Sequence, residues 1–260
     1  NIHTQKTTVE AIENGGIDAA SFWKSIYFER APLNYEESRS SNPVDLLTSG
    51  IFAAHFINTV SPTFLKEIVD GVHDAFVPGY IRQEMSNKYY AGCAKGILNA
   101  PDTDNDPEID DALAENFNAD TMAEKKWKNK IAFQKAVGLH IAPDSPLFFW
   151  PSRLDPKQKG PQLLSDILFQ VINEYWPQQV QFAFVANGEY QPVFKAIADH
   201  HGFQNTVAVM DFNDDLSRLG FAASDFILMP SRFEPCGLPQ MIGPIYGSLP
   251  IVHDTGGLHD

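Results

Sequence analysis

Residues able to grip a charged, hydroxylated ligand follow each apolar run in the second half of this chain. Arg153 and Lys159 follow Leu147–Trp150, Gly188 follows 181–186, Phe212 follows Thr206–Met210, and Glu234 follows Phe226–Met229. Glu234 lies in Pro230-Ser231-Arg232-Phe233-Glu234-Pro235-Cys236-Gly237-Leu238, and Thr255-Gly256-Gly257-Leu258 comes after a last run, Pro250–His253. A guanidinium and an ammonium neutralise a diphosphate. An aromatic ring stacks on a base, glycines let backbone N–H groups approach phosphate oxygens, and a carboxylate can grip a polar substrate. A nucleotide-sugar needs this set in one place.

Each member also has an ordinary structural reading. Glu234 could be a charge at a helix start, and Arg153 and Lys159 solvated loop charges, with Lys157 competing for any role. Phe212 could belong to a core, and Gly256-Gly257 to a tight turn. Cys236 has no His/Asp partner in view and reads as structural. A lone His3 beside Ile2 is ordinarily structural too. His200-His201 suits a helix C-terminus and lacks a third ligand, so no metal site is expected.

The order of elements is what would gather these residues. Leu163, Leu164, Ile167, Leu168 and Ile172 recur at spacings of three and four, predicting a helix over 161–175. Further helices are expected over 190–201, closed by Gly202, over 214–223, and over 238–246, stopped by Gly247. With the apolar runs as strands, this alternation predicts a parallel, doubly wound sheet whose carboxyl ends share one rim. Helix starts at that rim add N–H groups and partial positive charge. The first half is less regular. A helix over 43–54, a buried strand over 56–60, a Ser61-capped helix from Pro62 to about Val69, and a short strand over 96–99 are expected. An Asp- and Pro-rich stretch over 99–114 and a charged helix over 119–137 follow, with a domain boundary at Asn99.

The formal net charge of −14 repels polyanions, so nucleic acid and anionic membrane are not expected partners, while a neutral polymer is compatible. An apolar content of 43%, with 19 Phe, suffices for a packed core. No apolar run reaches the roughly 18 residues of a membrane span, and no signal peptide is visible. Cys93 and Cys236 make no disulfide framework, so a reducing cytoplasm is the default. No Gly-x-Gly-x-x-Gly follows the first strand, which argues against a dinucleotide-binding domain. Asn1-Ile2-His3-Thr4 reads as the tail of a strand, and Thr255–Asp260 stops at a turn that should open a helix. These 260 residues are therefore expected to belong to a longer protein.

In order along most of its length, the chain resembles the glycogen and starch synthases, which extend α-1,4-glucan from a nucleotide-glucose. Ile2-His3-Thr4 is similar to the family's Ile-His-Asn, Thr59-Val60-Ser61-Pro62-Thr63 to Thr-Val-Ser-Pro-Thr, and Gly96-Ile97-Leu98-Asn99 to Gly-Ile-Leu-Asn at the interdomain hinge. Lys125 to Leu139 resembles the helix carrying Lys-x-x-Asn-Lys. Ser152-Arg153-Leu154 and Gln158-Lys159-Gly160 match Ser-Arg-Leu and Gln-Lys-Gly, with one extra residue between them. Pro230 to Leu238 is near-identical, and Thr255-Gly256-Gly257-Leu258 matches Thr-Gly-Gly-Leu.

The resemblance implies an α/β fold of two Rossmann-like domains in a GT-B-type architecture, both incomplete here. Residues 1–98 would be the C-terminal part of the acceptor-side domain, and 99–260 the nucleotide-sugar-binding domain. It implies catalytic roles for Glu234, Arg153, Lys159 and His3. Nucleotide-sugar binding would fall to Asn99, Gly188, Phe212, Cys236, Gly237, Leu238, Thr255, Gly256 and Gly257. Departures bear on acceptor choice: Ala100-Pro101-Asp102 follows the hinge, Pro239 replaces a threonine, and 71–92 lacks the usual glycine-rich pattern. The family's Lys-x-Gly-Gly loop is absent as well, and these residues alone are not expected to be active.

The activity implied is retaining transfer of glucose from ADP-glucose or UDP-glucose to the non-reducing end of an α-1,4-glucan. No metal and no cofactor are implied, and the setting is a bacterial cytoplasm, or a plastid in a plant or alga. A retaining hydrolase would want two carboxylates about 5 Å apart, and no second partner for Glu234 is evident. Two alternatives stay open: a sucrose-, trehalose- or lipid-directed transferase of the same architecture, and a non-catalytic binding relic.

Overall fold

The computed structural model describes residues 6–260 and divides into two compact units, Asn1–Leu98 and Asn99–Asp260. The first contains β1 (Lys6–Thr7), α1 (Val9–Asn14), α2 (Tyr35–Ser41), β2 (Val44–Asp45), α3 (Leu46–Ala53), β3 (Ile57–Thr59), α4 (Pro62–Asp70), α5 (Gly79–Tyr90) and β4 (Ala94–Gly96). β1 and β2 pair antiparallel, and β3 and β4 pair parallel. The helix expected from residue 43 starts later, because Val44 and Asp45 pair with β1. The Asp45 side chain then caps α3 by accepting from the Thr48 N–H at 2.9 Å. The strand expected over 56–60 is shorter and not buried, with Phe56 74% exposed. Ser61 caps α4 as expected, accepting from the Phe64 N–H at 2.8 Å, with Pro62 in the first turn. The short strand expected over 96–99 ends instead at Gly96, where a Cβ would lie 2.1 Å from Pro62 N. The Thr-Val-Ser-Pro and Gly-Ile-Leu-Asn segments therefore touch, and only a glycine permits that approach.

The second unit opens with a turn-rich segment and then alternates regularly. Its elements are α6 (Met122–Val137), β5 (Leu147–Trp150), α7 (Pro161–Glu174), β6 (Gln181–Val185), α8 (Gln191–His201), β7 (Val207–Met210), α9 (Asp214–Ala223), β8 (Phe226–Met229), α10 (Pro239–Ile245), β9 (Leu249–Val252) and α11 (Gly256–His259). The five strands are all parallel, in the order β7-β6-β5-β8-β9. The chain thus walks outward from β5 to β7, then returns to place β8 on the other side of β5. In an open α/β sheet that reversal leaves a crevice at the carboxyl ends of the two central strands.

Side chains alternate across the sheet with the two-residue period of a strand. Leu147, Phe149, Ala183 and Val185 pack with Phe133 of α6, Phe221 of α9 and Tyr246. Trp150, Phe182 and Phe184 pack on the other face with Leu164 and Leu168 of α7 and Phe194 of α8. On that face Phe148 stacks on Phe182 and Phe226, its register partners on both sides, with centroids 5.1 and 5.0 Å apart. The turn-rich segment is tied down at Asp110, whose buried carboxylate accepts from Tyr246 Oη at 2.6 Å and pairs with Arg218. Lys126 of α6 is half-buried and has no ion pair among the described residues. Its Nζ donates to the carbonyls of Ala222 at 2.9 Å and Tyr246 at 2.8 Å, and to Ser248 Oγ at 3.1 Å. Burial pushes this ammonium down to about 7.

Candidate active site

Lys159 follows β5 and Glu234 follows β8, so the two arrive at the crevice from adjacent central strands. Their loops are stitched together by backbone. The Arg232 N–H donates to Gln158 O at 2.8 Å, and Gly160, at φ 70°, passes so close that a Cβ would sit 2.4 Å from Pro230 O. Only a residue at ease in the left-handed region fits there. Glu234 is 4% exposed and forms an ion pair with Lys159. Gln158 Nε2 donates to its Oε1 at 3.3 Å, and Ser231 Oγ to its Oε2 at 3.0 Å. Burial would make an unpaired carboxylate costly, and these three donors hold it in place.

The glycine turn after β9 packs against the backbone of the loop that carries Glu234. The Gly257 N–H donates to Glu234 O at 2.8 Å, and a Cβ on Gly257 would lie 2.0 Å from Cys236 O. This N–H is therefore engaged by protein, which narrows the phosphate-binding part expected of Gly256-Gly257. Thr255 stands just before the first turn of α11 and is buried, while Leu238 is 40% exposed just before α10. Gly237, at φ 72°, and Cys236 are held by Gln240, whose Nε2 donates to both carbonyls at 2.8 and 2.9 Å. The Cys236 thiol donates to Gly237 O at 3.3 Å. His253 Nδ1 reaches Ser231 O at 2.8 Å, so β9 also braces the loop that carries Glu234.

On the other flank the loops after β5, β6 and β7 are joined. Leu154 N–H donates to Asn187 O at 2.9 Å, and the Phe212 N–H donates to Asn187 Oδ1 at 3.0 Å. Gly188, at φ 149°, lies against the Leu154 backbone, where a Cβ would come within 2.6 Å of the carbonyl oxygen. Phe212 is 55% exposed, so its ring stands in solvent and not in the core. Arg153 is exposed and makes no hydrogen bond or ion pair among the described residues. Asn99, first residue of the unit, is exposed and joins none of these contacts. His3 lies outside the described residues.

Lys159, Glu234, Gly257 and Cys236 are thus in one cluster, and Arg153, Gly188 and Phe212 lie along the adjoining part of the same rim. Sequence reasoning missed Gln158, Ser231 and Asn187 as partners. Each stands one or three residues from a residue it did single out, which was the available signal. Ser152 Oγ and Gln240 Oε1 are buried at this rim without a protein hydrogen-bond partner, and such atoms carry a cost unless a ligand meets them. No cluster of three or more His, Cys, Asp or Glu among the described residues could hold a metal ion. No helix among them is long and apolar enough to cross a membrane.

No family model matches the chain. It is 37% identical over 220 residues to a glycogen synthase of Exiguobacterium sibiricum, a match covering 84% of this chain and 43% of that protein. It is 33% identical over 264 residues to a glycogen synthase of Thermosipho melanesiensis, covering 99% of this chain and 52% of that one. Among solved structures, the catalytic domain of Starch Synthase IV from Arabidopsis thaliana, bound to ADP and acarbose, matches with a TM-score of 0.78 at 27% identity. That match covers 100% of this chain and 50% of the other. The chain spans about half the length of the curated relatives it matches.

Proposed function

The chain belongs to the glycogen and starch synthase family, and on that premise we propose that the whole protein transfers glucose, with retention, from a nucleotide-glucose to the non-reducing end of an α-1,4-glucan. The observation that carries this reading is the buried Lys159–Glu234 pair at the reversal of strand order. A cation for phosphate and a carboxylate for hydroxyls stand side by side where an open α/β sheet takes its ligand. The ADP held by the Arabidopsis relative favours ADP-glucose as donor. A bacterial cytoplasm, or a plastid, is the setting this reading implies.

In this mechanism Arg153 and Lys159 stabilise the charge that develops on the departing diphosphate, a term of roughly 3–4 kcal/mol per well-placed donor. Lys159 exchanges Glu234 for phosphate as donor enters. Glu234, still held by Gln158 and Ser231, turns its freed acceptor position to glucose hydroxyls and fixes the sugar in reacting geometry. Gly257 acts through Glu234 by anchoring its carbonyl. Phe212 offers its exposed ring to the base. The acceptor hydroxyl attacks from the leaving-group side, which retains configuration.

Arg153 tests the reading cleanly because no hydrogen bond or ion pair among the described residues depends on it. In the full-length protein, Arg153→Ala is expected to cut glucose transfer to a glucan primer by roughly 100-fold or more with the melting temperature unchanged. A near-normal rate would remove its diphosphate role.

A further inference from the structure

At the amino ends of β6 and β7, the end of the sheet opposite the Lys159–Glu234 rim, a cavity of about 260 Å³ opens to the surface. Val180, 5% exposed, gives it an apolar floor, and Trp176, 59% exposed, lines it. His140, Gln179, Gln181, Asn205 and Thr206 supply the polar part of the lining, and none of the lining residues is Asp, Glu, Lys or Arg. An ion would find no carboxylate, ammonium or guanidinium there to balance it. A purely apolar ligand would leave the amide and hydroxyl groups unpaired. A neutral ring with one apolar face and a hydroxyl perimeter matches both halves of the lining, as a pyranose does.

The backbone points the same way. Gln179, at φ 53°, is the only non-glycine residue with positive φ among those described. Glycine takes that conformation freely, and a residue with a Cβ does not. A strained residue is a reason to look for function at its site. Here the Gln179 backbone N–H donates to Trp176 O at 3.0 Å, closing the turn Trp176–Gln178, and the turn places both residues in the lining of the cavity.

We propose that this cavity is a second carbohydrate site, taking one pyranose residue of a neutral α-glucan. Five residues of β6, at roughly 3.3 Å each, separate it from the rim. The choice of α-glucan over another neutral saccharide rests on the acceptor class proposed above. A polymer held at this second point stays near the enzyme between transfers, so the benefit falls to long chains and not to short primers.

The test uses the full-length protein, amide hydrogen exchange with maltoheptaose or ADP as probe, and KM for glycogen against maltotriose. Maltoheptaose is expected to slow exchange over 172–181 and 203–207, and Trp176→Ala to abolish that protection. Trp176→Ala is also expected to raise the KM for glycogen roughly tenfold, the loss typical of a truncated central aromatic, with kcat and the maltotriose KM unchanged. Gln179→Gly keeps the turn and removes the amide, so a smaller rise in the glycogen KM is expected, and it serves should Trp176→Ala fail to fold. No protection over 172–181 while ADP protects 152–160 would overturn the second site and leave the transferase reading standing. Protection over 172–181 with none by ADP would keep the second site as a saccharide site and overturn the transferase reading. An equal rise in KM for glycogen and maltotriose would overturn the second site.

Discussion

Replacing Lys159 with methionine removes the one ion-pair partner of Glu234 among the described residues, at a place where both side chains are nearly out of water, 11% and 5% exposed. Breaking a buried pair from one side costs about 3–5 kcal/mol. Glu234 keeps its bonds from Gln158 and Ser231, each worth about 1 kcal/mol, so the expected loss is about 1–3 kcal/mol. For a domain of this size that is a fall in melting temperature of roughly 2–12 °C. Turnover is expected to fall about 100- to 1000-fold, since a donor at developing charge is lost. Adding Glu234→Gln separates the two effects. With neither charge present, most of the melting temperature should return, while turnover should stay low because neither phosphate nor hydroxyls are held. Differential scanning calorimetry and a primer-extension assay on the full-length protein read the two outcomes. Recovered turnover in the double variant would show that the pair is structural only. Wild-type stability and rate in Lys159→Met would refute the burial argument altogether.

Three further outcomes are expected. Gly257→Ala must push a Cβ into Cys236 O, 2.0 Å away, and should destabilise the fold by about 1–3 kcal/mol and depress turnover, measured by calorimetry and primer extension. Phe212→Ala should leave stability within about 0.5 kcal/mol, because the ring is 55% exposed. Its effect should instead be a roughly tenfold rise in the donor KM, the loss of one stacking partner. For Lys126, the unfolded chain keeps its proton up to 10.5 while the folded chain releases it near about 7. Stability should therefore climb as pH rises between those values, by at most about 1.4 kcal/mol per unit, and the gain should vanish as pH falls through the lower one. Lys126→Met should abolish that slope in urea titrations at about pH 6.5, 8 and 9.5.

The second unit was legible in sequence because apolar runs and three-four periodicity alternate there without interruption; from β5 on its elements fall within a residue or two of expectation, while α6 starts at Met122, three residues after the expected 119. Strand order was not, since nothing local says that β8 returns to the far side of β5. Lys159 and Glu234 were both conspicuous, but their contact joins loops 75 residues apart, and only the fold supplies it. Leu163 and Ile167 belong to the three-four pattern that predicts α7, yet they are 56% and 46% exposed. They sit about 100° around the helix from Leu164 and Leu168, where the stripe runs out. In the first unit the elements are short, and a capping carboxylate, Asp45, moved the helix start in a way that hydrophobic pattern alone does not register.

The three rings of Phe182, Phe148 and Phe226 lie at one level across β6, β5 and β8. A slip of one residue in any of these strands would turn its ring through to the opposite face. The ladder therefore works as a gauge of alignment. Its stacked geometry shields neighbouring methyl protons, so upfield-shifted resonances in a refolding experiment would date the moment when three distant segments of chain come into step.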